Sequence, residues 1–295
     1  MPTLLTTDCY DLHQDSDYYT RLSKLRTSCL IVPLSVPSDT WSVQLKIQPQ
    51  LLEIDALIFS SHKTATQSLK ATFQRNGIRS LHCHTLGNIG LEEGEFSTYL
   101  DAYRAHRGRK LRVISVFREP LSRMISSFFQ WYGVGEIRNG LVDKVEDTLI
   151  FKLPVQELFD PFVNYIETID GFGESLDILR DELGGLHWNF HFSECDGFSR
   201  INLPSCEVLM SRFDLLVADF NGVASGLADR SIDPHRENLT KDKWYASKQF
   251  ELSNALQLER AVVEQLYASR QKLIELFFPN QFDKMLANAL ARCTR

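Results

Sequence analysis

Among the 295 residues there is no GxxxxGK[ST] stretch, which excludes the usual phosphate loop of ATP- and GTP-binding proteins. No apolar run approaches the roughly 18 to 20 residues that a membrane helix needs. The opening stretch MPTLLTTDCYDLHQDSDYY has neither the basic start nor the apolar middle of a secretory signal. Six cysteines (Cys9, Cys29, Cys83, Cys195, Cys206, Cys293) are scattered without a CxxC pair. That spacing argues against a zinc site or a disulfide framework and for reduced thiols. Basic excess is missing as well: the net charge of −6 argues against nucleic acid as the main partner. There is no internal repeat and no low-complexity linker. These absences predict a soluble cytoplasmic enzyme with no transmembrane segment.

What is present is an ordinary globular composition, 43% hydrophobic and 24% charged, in a chain long enough for one large α/β domain or two small ones. Two stretches carry chemistry. In IFSSHKTATQSLKATF (58–73), the buried-looking run Leu57 to Phe59 leads into a Lys-Thr-rich turn, and a helix follows with Leu69 and Phe73 on one face. In LRVISVFREPLSRMISSFFQWY (111–132), Val113 to Phe117 reads as a buried parallel strand. Pro120 suits a first helical position, and Leu121, Met124, Ile125, Phe128 and Phe129 recur at helical spacing. Arg118 therefore stands at a strand's end with Ser126 two turns into the next helix, both within reach of one phosphate. Seven Lys/Arg residues fall between Arg104 and Arg123, opposed only by Glu119. This is either a cationic patch for a small polyanion or, for Arg104 to Lys110, a solvated surface.

Order and context together give a resemblance. Lys63-Thr64-Ala65-Thr66-Gln67-Ser68 resembles the K-T-G-T-T loop of sulfotransferases, which holds the 5′-phosphosulfate of 3′-phosphoadenosine 5′-phosphosulfate (PAPS). Arg118 through Ser126, 55 residues on, resembles their second motif, which holds the 3′-phosphate. RENLTKDKWYASKQF (236–250) resembles the Lys-Trp-Tyr signature of a bacterial group of capsular polysaccharide synthesis proteins in the same superfamily. EVLMSRFDLL (207–216) is similar to the late strand and turn of that fold, and AVVEQLYASRQKLIELFFP to its closing helices. The similarity spans roughly residues 55 to 280. It implies a P-loop-like three-layer α/β/α fold with a central parallel sheet, PAPS as cofactor, the bisphosphate PAP as product, and a glycan or secondary-metabolite acceptor. One departure is Ala65, where the family carries glycine; the loop is expected not to need a left-handed residue there.

Sulfuryl transfer builds charge on the departing 5′-phosphate, so donors fixed around that oxygen should supply most of the catalysis. Lys63 is the expected cation, Thr64 and Thr66 offer hydroxyls, and the helix from about Thr66 points N–H groups at the phosphate. Lys243, with Lys241, is expected on the 3′-phosphate, and Trp244 either near the adenine or buried in the core. An acceptor hydroxyl needs a base. In GIRSLHCHTLG (77–87), Ile78 to Leu81 reads as a strand, with His82 and His84 on one side and its carboxyl end facing the Lys63 crevice. The resemblance implies that one of these two is the base, His84 being nearer the strand's end; Glu92, Glu93 and Glu95 are rivals. His62 is read as loop-shaping, His187 and His191 as core or acceptor wall, and Asp170 to Gly173 as a turn. Residues 1–50 form an extension, 51–295 the catalytic domain, and 133–235 much of the acceptor pocket. A kinase-like enzyme and a non-catalytic PAP-binding protein are the competing readings.

Overall fold

The computed structural model describes residues 30–31, 46–169, 175–184, 192–235 and 243–293. Seven strands occur among them: β1 (Leu30–Ile31), β2 (Lys46–Ile47), β3 (Ala56–Phe59), β4 (Ser80–Cys83), β5 (Leu111–Phe117), β6 (Phe198–Asn202) and β7 (Cys206–Arg212). β1 and β2 form a small antiparallel pair, and the other five make one sheet in the order β4-β3-β5-β7-β6. Eleven helices are labelled here: α1 (Thr66–Arg75), α2 (Phe96–Arg107), α3 (Pro120–Phe129), α4 (Phe159–Ile169), α5 (Ser175–Glu182), α6 (Phe213–Ala218), α7 (Phe220–Ala228), α8 (Ala246–Ala255), α9 (Arg260–Ala268), α10 (Gln271–Phe277) and α11 (Phe282–Cys293).

The inner strands β3, β5 and β7 read as largely apolar runs because both of their faces are covered. Alternate residues separate into two cores. Leu57, Phe59, Val113, Phe117, Val208 and Met210 join the larger cluster, with Tyr99, Tyr103, Met124, Phe128 and Phe277 from the helices. Ala56, Ile58, Ile114, Val116 and Leu209 face the smaller one, with Leu69 and Phe73 of α1 and Phe220, Val223 and Leu227 of α7. Helices therefore cover both faces of a mostly parallel five-stranded sheet, an α/β arrangement.

The sheet departs from the fully parallel expectation at one edge. β6 runs antiparallel to β7, whereas β3, β4, β5 and β7 are mutually parallel where they pair. Only three residues separate β6 from β7, closed by the Leu203 N–H on the Cys206 carbonyl (2.9 Å). A link that short can form only a hairpin. Residues 198–228, inside the stretch assigned to the acceptor pocket, thus supply two strands of the central sheet and helices α6 and α7. No helix among the described residues is long and apolar enough to cross a membrane. Cys83, Cys206 and Cys293 are buried free thiols, and Cys195 is an exposed one.

Candidate functional site

In a parallel sheet the carboxyl ends of neighbouring strands open on one crevice. Here that edge gathers the loop after β3, His84 after β4, Arg118 after β5 and Phe213 after β7, as the strand pairing requires.

The loop after β3 is fixed from inside. Ser60 is fully buried; its Oγ donates to the Val116 carbonyl (2.9 Å) and accepts from the Val116 N–H (3.1 Å). Thr64 Oγ1 donates to the Ser61 carbonyl (2.7 Å) and lies 2.8 Å from Ser60 Oγ. Thr64 is fully buried, so the hydroxyl that the sequence reading offered to a phosphate is bonded within the loop. Thr66 and Ser68 are also nearly enclosed, while Lys63, Ala65 and Gln67 are partly exposed. Both Lys63 (φ 66°) and Ala65 (φ 62°) adopt left-handed backbone. The expectation that Ala65 would not need that conformation is corrected: the turn between β3 and α1 uses it, at a cost of roughly 1–2 kcal/mol per non-glycine residue. Ala65 gives α1 no side-chain cap, and the Leu69 N–H closes the first turn on the Ala65 carbonyl (3.1 Å).

Arg118 ties the two motifs together. Its Nη1 donates to the Lys63 carbonyl (2.9 Å), its Nε lies 3.4 Å from Ser122 Oγ, and its guanidinium carbon sits 4.2 Å from the centre of the Phe213 ring. Burial lowers Arg118 to about 10, the Glu119 charge opposing that shift and Arg123 adding to it, so it remains a cation at neutral pH. Lys63 falls to about 7, through burial first, then the charges of Lys243 and Arg118. No carboxylate among the described residues pairs with Lys63. Ser126 lies on the buried side of α3, 1% exposed, so it stands inside the protein and not on an open wall.

The histidines form one group. His82 and His84 are edge to face, ring centres 4.3 Å apart, on the same side as strand alternation predicts. His62, read from the sequence as loop-shaping, lies against His84 with ring centres 3.5 Å apart, beside the candidate base. Nδ1 of His84 is 2.5 Å from the Ser60 carbonyl. A carbonyl only accepts, so in the neutral ring Nδ1 carries the proton and the lone pair is on Nε2, the tautomer a base requires. The His84 carbonyl accepts from Ser175 Oγ (2.8 Å), and the Ser175 N–H donates to Ser61 Oγ (3.1 Å). The first residue of α5 thereby braces both the loop and the histidine. His82 is held well below its ordinary pKa by burial, then by His84, Lys70 and His62. His62, although exposed along part of its surface, is lowered by desolvation and by His84, Arg123, Lys63 and Arg138. His82 and His62 are thus neutral at pH 7.

The remaining candidates fall less centrally. Trp244 is partly buried: its ring lies over Gly133, where an added Cβ would come within 3.1 Å of it, and edge-on to Tyr245 at 5.3 Å. It packs on the turn just beyond α3 and is the chain neighbour of Lys243. Glu95 accepts from the Glu92 N–H (2.8 Å) within their own turn, and Glu92 and Glu93 are exposed. The basic patch divides. Arg104 donates to the Pro204 carbonyl (3.0 Å), Arg107 and Arg109 pair with Asp55, Arg112 with Glu207, and Lys110 with Asn202, all around the amino end of β5, which leaves Arg118 and Arg123 of the seven on the crevice side. His187, His191, Lys241 and Asp170 to Gly173 lie outside the described residues, as does most of 1–50. Sequence reasoning missed Phe213 and Ser175, whose roles come from strand register and helix packing and leave no motif. No protein-family model matches the chain, and no curated protein or solved structure matches it, so the functional reading rests on this loop cluster and on its two motifs.

Proposed function

We propose that the chain is a sulfotransferase that moves the sulfuryl group of PAPS to a hydroxyl or amine, with a surface glycan or small metabolite as acceptor. The observation that carries this reading is the meeting of the two motifs before α1, where the Arg118 guanidinium hydrogen-bonds the Lys63 carbonyl (2.9 Å) and Lys63 feels the charges of Lys243 and Arg118. Like charges brought together in a partly desolvated place are costly unless an anion joins them. More than one phosphate suits so many cations, and the residues fit a nucleotide bisphosphate. PAPS, when bound, supplies the sulfuryl group and a phosphate leaving group.

The protein's part follows from its own atoms. Lys63 and the α1 N–H groups would hold the phosphate on which charge collects, and Arg118 the 3′-phosphate. His84 would receive the acceptor's proton at Nε2, with Nδ1–H kept on the Ser60 carbonyl as the ring becomes cationic. Glu119 is not available for that task, because its carboxylate caps α3 through Leu121 N (2.9 Å) and Ser122 N (2.8 Å). The capsule-like Lys-Trp-Tyr stretch is what favours a bacterial glycan among acceptors.

Calorimetric titration with adenosine 3′,5′-bisphosphate beside ATP, on wild type and Arg118→Ala, tests the reading. Binding of the bisphosphate well above that of ATP is expected, with a loss of roughly 10- to 150-fold in the variant, the size of one charge-assisted hydrogen bond. Preference for ATP would favour the kinase-like reading. Bisphosphate binding without sulfuryl transfer to any of a panel of glycans and phenols would favour a non-catalytic binder. A folded wild type that ignores the bisphosphate would overturn both PAP-based readings.

A further inference from the structure

Arg118 poses a physical problem. A guanidinium this deeply placed needs a partner, yet a carboxylate partner would neutralise it and occupy the N–H groups an anion must use. The carboxylates that follow Arg118 and Phe213 in sequence, Glu119 and Asp214, are engaged elsewhere. Glu119 is turned into the start of α3 and also accepts from the Tyr267 hydroxyl. Asp214 is bidentate on Arg212. What meets Arg118 instead is the ring of Phe213.

We propose that Phe213 is a positioning residue for Arg118, an aromatic platform that fixes the guanidinium by its face and leaves its edge to an anionic ligand. The sheet brings the two together. Phe117 pairs with Arg212 in the parallel register of β5 and β7, so residues 118 and 213 are the next step beyond paired strand ends. Neighbouring strands lie about 4.8 Å apart, and the guanidinium carbon is 4.2 Å from the ring centre. Stacking attracts the cation through the ring's negative face and consumes no N–H. Of the five donors, one is on the Lys63 carbonyl and Nε faces Ser122 Oγ; the others lie in the same plane. Phe213 is itself steadied, packing against the smaller core that contains Val116 and Leu216.

The effect on nucleotide affinity rests on the function proposed above; the hold on Arg118 does not. Two measurements therefore run together. Calorimetry with adenosine 3′,5′-bisphosphate should show binding weakened roughly 3- to 30-fold in Phe213→Leu and kept within about twofold in Phe213→Tyr and Phe213→Trp. Urea unfolding of Phe213→Leu, Arg118→Ala and the double variant should show non-additivity of similar size, because each substitution removes the same contact. Additive effects in urea overturn the proposal whatever the calorimetry gives. So does bisphosphate affinity unchanged in Phe213→Leu, or an equal loss in the aromatic variants. If wild type binds no bisphosphate, the functional reading falls and the urea cycle alone decides the platform.

Discussion

Lys63 joins a left-handed backbone to an ammonium held among cations, and the second property has a measurable consequence. An ordinary lysine keeps its proton up to about 10.5, whereas burial, Lys243 and Arg118 bring this one to about 7. Between those values the unfolded chain binds more protons than the folded one, so this residue's contribution makes stability rise with pH across that window. Below pH 7 both states are protonated and the full penalty applies. A bound anion reverses the shift by favouring the charged form. Bisphosphate binding at pH 8 is thus expected to take up close to one proton per site. The heat observed in Tris and in HEPES should differ in proportion to their ionisation enthalpies, and Lys63→Met should remove that difference. Equal heats in the two buffers for wild type would show that Lys63 is not recharged.

At the scale of elements, the two motifs differ in how they are held. The loop after β3 depends on short hydroxyl links through Ser60 and Thr64, while the turn into α3 depends on Glu119. Glu119 satisfies two of the N–H groups that a helix start leaves open, and Tyr267 of α9 clasps the same carboxylate. Glu119→Ala should cost about 1–2 kcal/mol as a lost cap, read from the urea midpoint. Tyr267→Phe should cost less, because the cap itself survives. An unchanged midpoint in Glu119→Ala would contradict the capping role. Strands and helices around both motifs were legible because their residues repeat the periods of buried elements: β5 and α3 begin within about two residues of where the apolar pattern and Pro120 put them. β4 begins two residues later than Ile78, whose N–H is held by the Phe73 carbonyl at the end of α1 (2.9 Å). β6 carries no such signal: in Phe198–Asn202 only Ser199 is buried, and an edge strand of mixed polarity resembles a loop.

Across the whole molecule, the carboxyl-terminal helices close over the larger core and reach the site's underside. Phe277 of α10 stacks on Phe117, ring centres 4.9 Å apart, and Phe117 immediately precedes Arg118. Phe278 meets both Phe117 (6.2 Å) and the Arg212 guanidinium (3.9 Å), and the Leu258 N–H reaches the Cys293 carbonyl to join the two ends of this segment. Phe277→Ala should cost about 3–5 kcal/mol, as a large aromatic deletion in a full core does, with a lower urea midpoint and an unchanged slope. A loss under 1 kcal/mol would mean that the closing helices are not packed as described. The general architecture was readable because a strand covered on both faces leaves an apolar run. The candidate site was readable only where one residue type fits the chemistry, as at Lys63, Arg118 and His84. Ala65 was misjudged because backbone handedness is set by the turn, and the sequence shows only that glycine is absent.

The pairing of Phe117 with Arg212 also governs which changes in chain length the protein can absorb. A strand repeats every two residues, so one residue added to β5 or β7 sends every later side chain to the opposite face. Such an insertion would turn Arg118 away from Phe213 even with both residues intact. Length is therefore counted in whole steps from 111 to 118 and from 206 to 213. The connection from 140 to 148 lies outside those counted runs and is mostly exposed, so insertions or deletions there leave the alignment of the two motifs untouched.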